Sequence, residues 1–376
     1  MDPLAWRPAR AIAMFPDFSF LGRLKKRATQ NCKIFTLVRS LYNRKSGGEI
    51  VRRSSLIFIV LALASVLVPA QDEPHLVSMT FPKHPDPPFA TQLRKMVMVI
   101  ESTCRVGTKS EKFEGTGFVV ADQDPRLPKD THFDYLVTNR HVAECWDDSG
   151  MPRQVLAVDL RANLSTGSSA TDQLSPHGNV HWYFPADDSV DLAVTPIVLA
   201  PAIENLRVPL DMFFTKDSFT SYNVGEGAKI ILSGYFVHIP GVKRVQPIIR
   251  EGILAMIPDE PIETTTRKRG TVYLADTHIF GGNSGSPAFI STAGVRPGTV
   301  QFLDSYMFLG VVSGYYFEDS EISFKIATTV KGIQRANSGV SMVVPADFLK
   351  DLILNNRELA AVREAELAKM HLETAK

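Results

Sequence analysis

Three short segments of this sequence carry side chains that together could attack a carbonyl group. Gly281-Gly282-Asn283-Ser284-Gly285-Ser286-Pro287 sets a serine between glycines, just ahead of an apolar run. A hydroxyl is a poor nucleophile unaided: it needs a base to take its proton, and the oxyanion that forms needs backbone N–H donors. Glycine permits the tight turn that aims such donors into one space, so Gly282 and Ser284 are the expected oxyanion pair. Tyr135-Leu136-Val137-Thr138-Asn139-Arg140-His141-Val142-Ala143 is an apolar strand that delivers a histidine at its end. Imidazole, with an ordinary pKa of ~6.5, accepts and returns a proton near neutrality. Asp188-Ser189-Val190-Asp191-Leu192-Ala193-Val194 opens an apolar strand with an acid, where a carboxylate would fix the tautomer of the imidazole and stabilise its charged form. Asp187 and Asp188 compete by position, but neither leads directly into the apolar run, and Asp191 is preferred. The expected chemistry is acyl transfer, with Ser284 as nucleophile, His141 as general base and Asp191 orienting it. The other histidines, including His132, His177 and His181, read as surface or satisfied side chains; so does His278, six residues before the serine, with lining of a substrate cleft as its less favoured alternative.

The elements that must bring these segments together are strands. Between Met96 and Val344 short β-like runs alternate with turn residues, without a repeat of solenoid type. The first set covers 96–106, 117–121, 135–138, 155–160, 181–184 and 192–197; the second covers 229–235, 246–256, 271–274, 286–290, 308–313, 324–329 and 340–344. The stretch 199–227 is the expected connection. The fold class expected is all-β: two six-stranded antiparallel β-barrels, about 95–200 and about 228–345, within a domain spanning 95–355. After Pro345 the period becomes helical, with Phe348, Leu349, Leu352 and Ile353 on one face, which should dock. The charged tail 356–376 should be a solvated helix.

Ahead of the domain, residues 71–94 contain Pro82, Pro85, Pro87 and Pro88 and read as a linker. Leu56 to Val68 is an apolar run preceded by Arg52 and Arg53 and followed by Val68-Pro69-Ala70, which reads as a signal peptide (51–70) cleaved after about Ala70, for export to the periplasm or beyond. A membrane contact is expected only if 56–68 is retained as an anchor. Residues 1–50 read as an extension created by a misplaced start, with translation beginning at Val51, or as a poorly ordered leader. The chain has 376 residues, 44% hydrophobic and 22% charged, and its 41 basic residues nearly cancel its 40 acidic ones. That balance gives no field for nucleic acid. Its three cysteines, Cys32, Cys104 and Cys145, have no zinc-site spacing, so neither metal nor cofactor is expected.

The order His141, Asp191, Ser284 in these contexts resembles the chymotrypsin-like serine proteases, most nearly their bacterial branch. Thr138-Asn139-Arg140-His141-Val142, Asp191-Leu192-Ala193 and Gly281 to Pro287 are similar to motifs of glutamyl endopeptidases and heat-shock-type (HtrA/Deg) proteases. Gly115-Thr116-Gly117-Phe118-Val119 resembles the family's strand before the histidine, and Gly339 to Pro345 its last strand. The resemblance covers about Lys95 to Ile353 and implies an endopeptidase acting on protein or peptide substrates through an acyl-enzyme on Ser284. It places the pocket walls at Ile279, Phe280 and Gly281 and at Val312, Ser313, Gly314 and Tyr315, with Ser313 and Gly314 pairing with substrate backbone. Ile279 and Val312 stand where glutamyl endopeptidases carry threonine and histidine. A carboxylate between them would lose its hydration without a compensating donor, so a small-to-medium apolar residue is expected before the scissile bond.

Trypsin-type enzymes have an aspartate just before the serine, which pairs with a freshly cut N-terminal ammonium; here that residue is Asn283, and an amide cannot form that ion pair. The roughly thirty residues after Pro345 are expected to be too few for an appended peptide-binding PDZ domain. In the family a cysteine near the histidine often bridges to the neighbouring strand; Cys145, four residues past His141, is displaced from that place, which leaves a Cys104–Cys145 bridge and two buried free thiols as alternatives. Two rival readings compete with the enzyme. A catalytically silent, peptide-binding protease fold is disfavoured by the complete triad. An esterase is disfavoured because the serine lacks a strand-to-helix elbow and the acid precedes it.

Overall fold

Strands dominate the described part of the chain, which in this computed structural model comprises residues 88–374 apart from 130, 148, 176–179, 297–298, 302–304 and 326–328. The readings of 1–50, of the 51–70 signal segment and of the first part of the 71–94 linker lie outside the described residues. The first sheet contains β1 (Met98–Val106), β2 (Lys109–Asp122), β3 (Phe133–Thr138), β4 (Val155–Asn163), β5 (Ser169–Ser175), β6 (Ala193–Pro196) and β7 (Val208–Pro209). Its order is β5-β4-β1-β2-β3-β6, with β7 parallel to β2. The second sheet is a closed barrel in the order β12-β17-β16-β13-β8-β9. It is built from β8 (Lys229–Gly234), β9 (Ile248–Met256), β12 (Tyr273–Asp276), β13 (Pro287–Ser291), β16 (Tyr306–Lys325) and β17 (Thr329–Pro345). Two small ribbons, β10 (Ile262–Glu263) with β11 (Arg269–Gly270) and β14 (Gly294–Arg296) with β15 (Thr299–Gln301), decorate it. This is the all-β architecture expected from the sequence, with C-terminal helices; the second sheet closes as a six-stranded barrel, whereas the first, expected as a six-stranded barrel, has seven strands, and no pairing among the described residues joins β5 to β6.

The apolar runs are continuous because both faces of the central strands are buried. Along β2, Phe118 and Val120 join one core while Val119 joins another, and on β3 Tyr135 and Val137 oppose Leu136 in the same way. That is the two-residue period of a strand dividing its side chains between two cores. On β13, Phe289 packs into the first core and Ala288 and Ile290 into the interior of the barrel. The first core therefore joins both sheets through Phe118, Phe289 and Phe308. Each fully buried aromatic of this kind stabilises the fold by roughly 1.5–3 kcal/mol.

Several boundaries differ from expectation. The last part of the segment expected as a linker is helical: α1 (Phe89–Met96) has Leu93 and Met96 buried, because Pro88 supplies an extended residue before the first turn and Phe89, Leu93 and Met96 share one face. β5 carries mostly polar residues and is an exposed edge, so its sequence lacks the apolar signal of a strand. The 181–184 run contributes only the bridge from Tyr183 to Val194. The expected 324–329 strand straddles the end of a long ribbon, where Lys325 pairs with Thr329. In the connection 199–227, α3 (Lys216–Tyr222) follows a 3-10 turn at Leu210–Met212.

Helix α4 (Ala346–Asn355) docks through Leu349, Leu352 and Ile353 as expected. The tail does not remain solvated: α5 (Arg357–Thr374) buries Leu359 and Leu367. Its Arg363 is also buried, donating to the Tyr135 hydroxyl at 3.2 Å and to the carbonyls of Ile353 and Leu354. One buried cation with three acceptors is compensated for its lost hydration, which a count of charges along the tail does not reveal. Among the described residues no helix is long and apolar enough to cross a membrane.

Candidate active site

The register of the first sheet brings two of the three segments together. β3 pairs with β6, placing Thr138 opposite Ala193, so the residues just beyond β3 and just before β6 meet at one rim. Beyond β3 the chain turns into α2 (Arg140–Ala143), which carries His141 in its first turn. Asn139 is fully buried and its amide donates to the Asp191 carbonyl at 2.8 Å, locking the two segments. The Asp191 carboxylate then faces the histidine: Oδ1 accepts from the His141 backbone N–H at 3.1 Å and Oδ2 lies 2.6 Å from His141 Nδ1. Thr265 Oγ1 donates to the same Oδ2 at 2.7 Å. The carboxylate is 1% exposed, whereas the imidazole keeps 28% of its surface accessible.

Burial by itself would push the Asp191 pKa up and that of His141 down. Their mutual attraction and hydrogen bond, with the Thr265 and backbone donors on the carboxylate, outweigh it, so Asp191 is held below the ordinary carboxylate range and His141 above the ordinary imidazole value. The alternatives to Asp191 are engaged elsewhere. Asp187 Oδ1 accepts from the Ser189 N–H at 2.9 Å, and Asp188 pairs with Lys268 in solvent.

The serine turn is held by hydrogen bonds from both sheets. Asn283 is fully buried, and its amide spans the turn: Oδ1 accepts from the Phe280 N–H at 2.9 Å and Nδ2 donates to the Tyr235 carbonyl at 2.7 Å. Gly285 N–H donates to the Val312 carbonyl at 2.9 Å, and Thr116 N–H to the Ser284 carbonyl at 2.8 Å. Gly282 and Gly285 have φ of 91° and 87°, a region that penalises any Cβ. Among the described residues, the backbone N–H groups of Gly282 and Ser284 have no acceptor. Ser284 Oγ donates to the Ser313 carbonyl at 3.5 Å; no hydrogen bond joins it to His141.

His141 and Ser284 nevertheless line one open groove of about 450 Å³, together with Trp146, Thr265, Arg267, Ser313, Gly314, Tyr315 and Phe317. Of the expected pocket walls, Ser313, Gly314 and Tyr315 face this groove. Ile279 and Val312 are instead 1% and 0% exposed and belong to the core of the barrel. Phe280 is 40% exposed and lies outside the groove, with its ring 5.8 Å from that of Phe236 and under the Arg250 guanidinium. His278 is exposed, packed beside Gly339. Cys104 of β1 and Cys145, just past α2, form a disulfide with Cα atoms 6.4 Å apart, tethering the turn that follows the histidine. Among the described residues no cluster of His, Cys, Asp and Glu could hold a metal ion.

Thr265 was invisible as a site residue in the sequence. It lies in the run Thr264-Thr265-Thr266, far from any motif, and the only local signal is a polar turn. Thr264 anchors that turn through the Ser189 carbonyl at 2.9 Å, two residues from Asp191, so its position is a tertiary fact.

No protein-family model and no curated protein sequence matches the chain. Among solved structures, the HtrA-type protease AlgW with tripeptide is 14% identical with a TM-score of 0.40, over 70% of this chain and 62% of that one. Deg5 is 17% identical with a TM-score of 0.39, over 71% of this chain and 92% of that one.

Proposed function

We propose that the chain is a serine endopeptidase in which Ser284 attacks the carbonyl of a peptide bond, His141 acts as general base and then general acid, and Asp191 orients the imidazole. The observation that carries this reading is the His141–Asp191 contact at 2.6 Å, with His141 and Ser284 lining one groove, beside a serine turn whose Gly282 and Ser284 N–H groups have no acceptor among the described residues. The bond to Asp191 occupies Nδ1 and leaves Nε2 for the serine. On substrate binding, Ser284 Oγ turns away from the Ser313 carbonyl and donates to His141 Nε2; such contacts are commonly loose in a free enzyme and tighten on the reacting complex. Attack forms the C–O bond, the proton passes to the imidazole, and the oxyanion takes the Gly282 and Ser284 N–H groups. The imidazolium then protonates the departing amine, and water, deprotonated by His141, releases the acyl group.

Substrates on this reading are proteins or peptides, bound as an added strand along Ser313 and Gly314. Action outside the cytoplasm follows from the 56–68 apolar run as an export signal, and the Cys104–Cys145 disulfide suits an oxidising compartment. Treatment with a fluorophosphonate probe tests the assignment: the wild-type chain should be labelled and Ser284→Ala should not. Labelling of both, or of neither, refutes it.

A further inference from the structure

The segment Gly115-Thr116-Gly117 has no part in the chemistry above, yet it is the point at which the first sheet grips the serine turn. Thr116 is fully buried on β2. Its N–H donates to the Ser284 carbonyl at 2.8 Å, and its hydroxyl donates to the Gly282 carbonyl at 2.6 Å. The same hydroxyl accepts from the Tyr235 N–H at 2.9 Å, so both its donor and acceptor capacity are used. Its carbonyl accepts from Thr138 Oγ1 at 2.8 Å, at the end of the strand that leads to His141. The approach is tight enough that a Cβ on Gly285 would overlap the Thr116 carbonyl oxygen.

The two residues whose carbonyls Thr116 holds, Gly282 and Ser284, are the same two whose N–H groups have no acceptor among the described residues. Fixing a residue's carbonyl fixes the peptide plane on its C-terminal side. It therefore restricts the ψ angle that relates that plane to the residue's own N–H. We propose that Thr116 is a positioning residue that sets the oxyanion donors of the second sheet from the first, and couples them to the histidine strand through Thr138. The inference rests on the serine-protease reading of the site. It places the demand for a hydroxyl at 116 on transition-state geometry and not on substrate binding.

The test is the kinetics of fluorophosphonate labelling of the full chain, resolved into the maximal inactivation rate and the half-saturating probe concentration. Thr116→Val keeps the β-branched shape and removes the hydroxyl. Its maximal rate should fall about tenfold to a hundredfold with the half-saturating concentration within about threefold of wild type, since loss or misplacement of an oxyanion donor acts on the transition state. Thr116→Ser, which retains the hydroxyl, should recover most of the rate. Thr292→Val removes another buried hydroxyl, bonded to the Ser305 carbonyl at 3.0 Å outside the groove; it should lower thermal stability without moving the rate. If the valine variant does not fold, Thr116→Cys, similar in size with a weaker donor, should show a smaller fall in the same direction. A valine or cysteine variant labelled as fast as wild type, or a serine variant as slow as valine, overturns the inference. Absence of labelling in the wild-type chain instead overturns the protease reading beneath it.

Discussion

Replacing Asn283 by aspartate tests how the serine turn is built. The amide is fully buried, accepting from Phe280 and donating to the Tyr235 carbonyl at 2.7 Å. A carboxylate can keep the first bond but faces the second with oxygen against oxygen, away from solvent. The cheaper state is the protonated acid, whose hydroxyl can donate to Tyr235 in place of the amide. Holding a carboxyl of ordinary pKa ~3.9 neutral at pH 7 costs about 4 kcal/mol, at ~1.4 kcal/mol per pH unit, and this caps the penalty. The folded-state pKa is raised above the unfolded value, so the penalty is absent near about pH 4 and grows as pH rises. Urea unfolding of Asn283→Asp and wild type between about pH 4 and pH 7 should show nearly equal stability at the acid end and a loss approaching 4 kcal/mol at the neutral end. A difference that is flat across this range, or below about 1 kcal/mol at pH 7, would refute the donation to Tyr235 as a stabilising bond.

Four further outcomes follow from the geometry. Because Asp191 holds the His141 pKa above the ordinary imidazole value, the rate of probe labelling should rise with pH along a limb whose midpoint lies above ~6.5. Asp191→Asn should lower that midpoint and cut the rate by about 10⁴-fold, whereas an unchanged midpoint would dissociate the carboxylate from the histidine. Gly285→Ala puts a Cβ into a φ of 87° and against the Thr116 carbonyl, and thermal melting should report a loss of about 3 kcal/mol or more; an unperturbed melt would contradict the close approach of the two sheets. Cys104 and Cys145 are 41 residues apart, a loop whose closure in the unfolded chain is worth about 4 kcal/mol, so the double alanine variant should lose stability of that order in urea; equal stability would argue against the bridge.

The sequence by itself determined the fold class and the identity of the three segments that meet. Strand periodicity is local, and the two-faced burial of β2 and β3 writes itself as unbroken apolar runs around Phe118 and Leu136. The His141 and Asp191 contexts were legible because each follows or precedes such a run, and the β3–β6 register converts that placement into contact. The sequence did not reveal β5, whose exposed edge needs no apolar residues, or the docking of α5, which depends on one arginine finding Tyr135 and two carbonyls.

Only the tertiary structure decided which neighbours complete the site. Thr265 on Asp191, Thr116 on the serine turn and the Asn283 clasp on Tyr235 each join residues 48 or more positions apart through a hydroxyl or amide of ordinary type. It also removed Ile279 and Val312 from the groove to the core of the barrel. A hydrogen bond has no sequence period, so its partner is set by how the sheets pack.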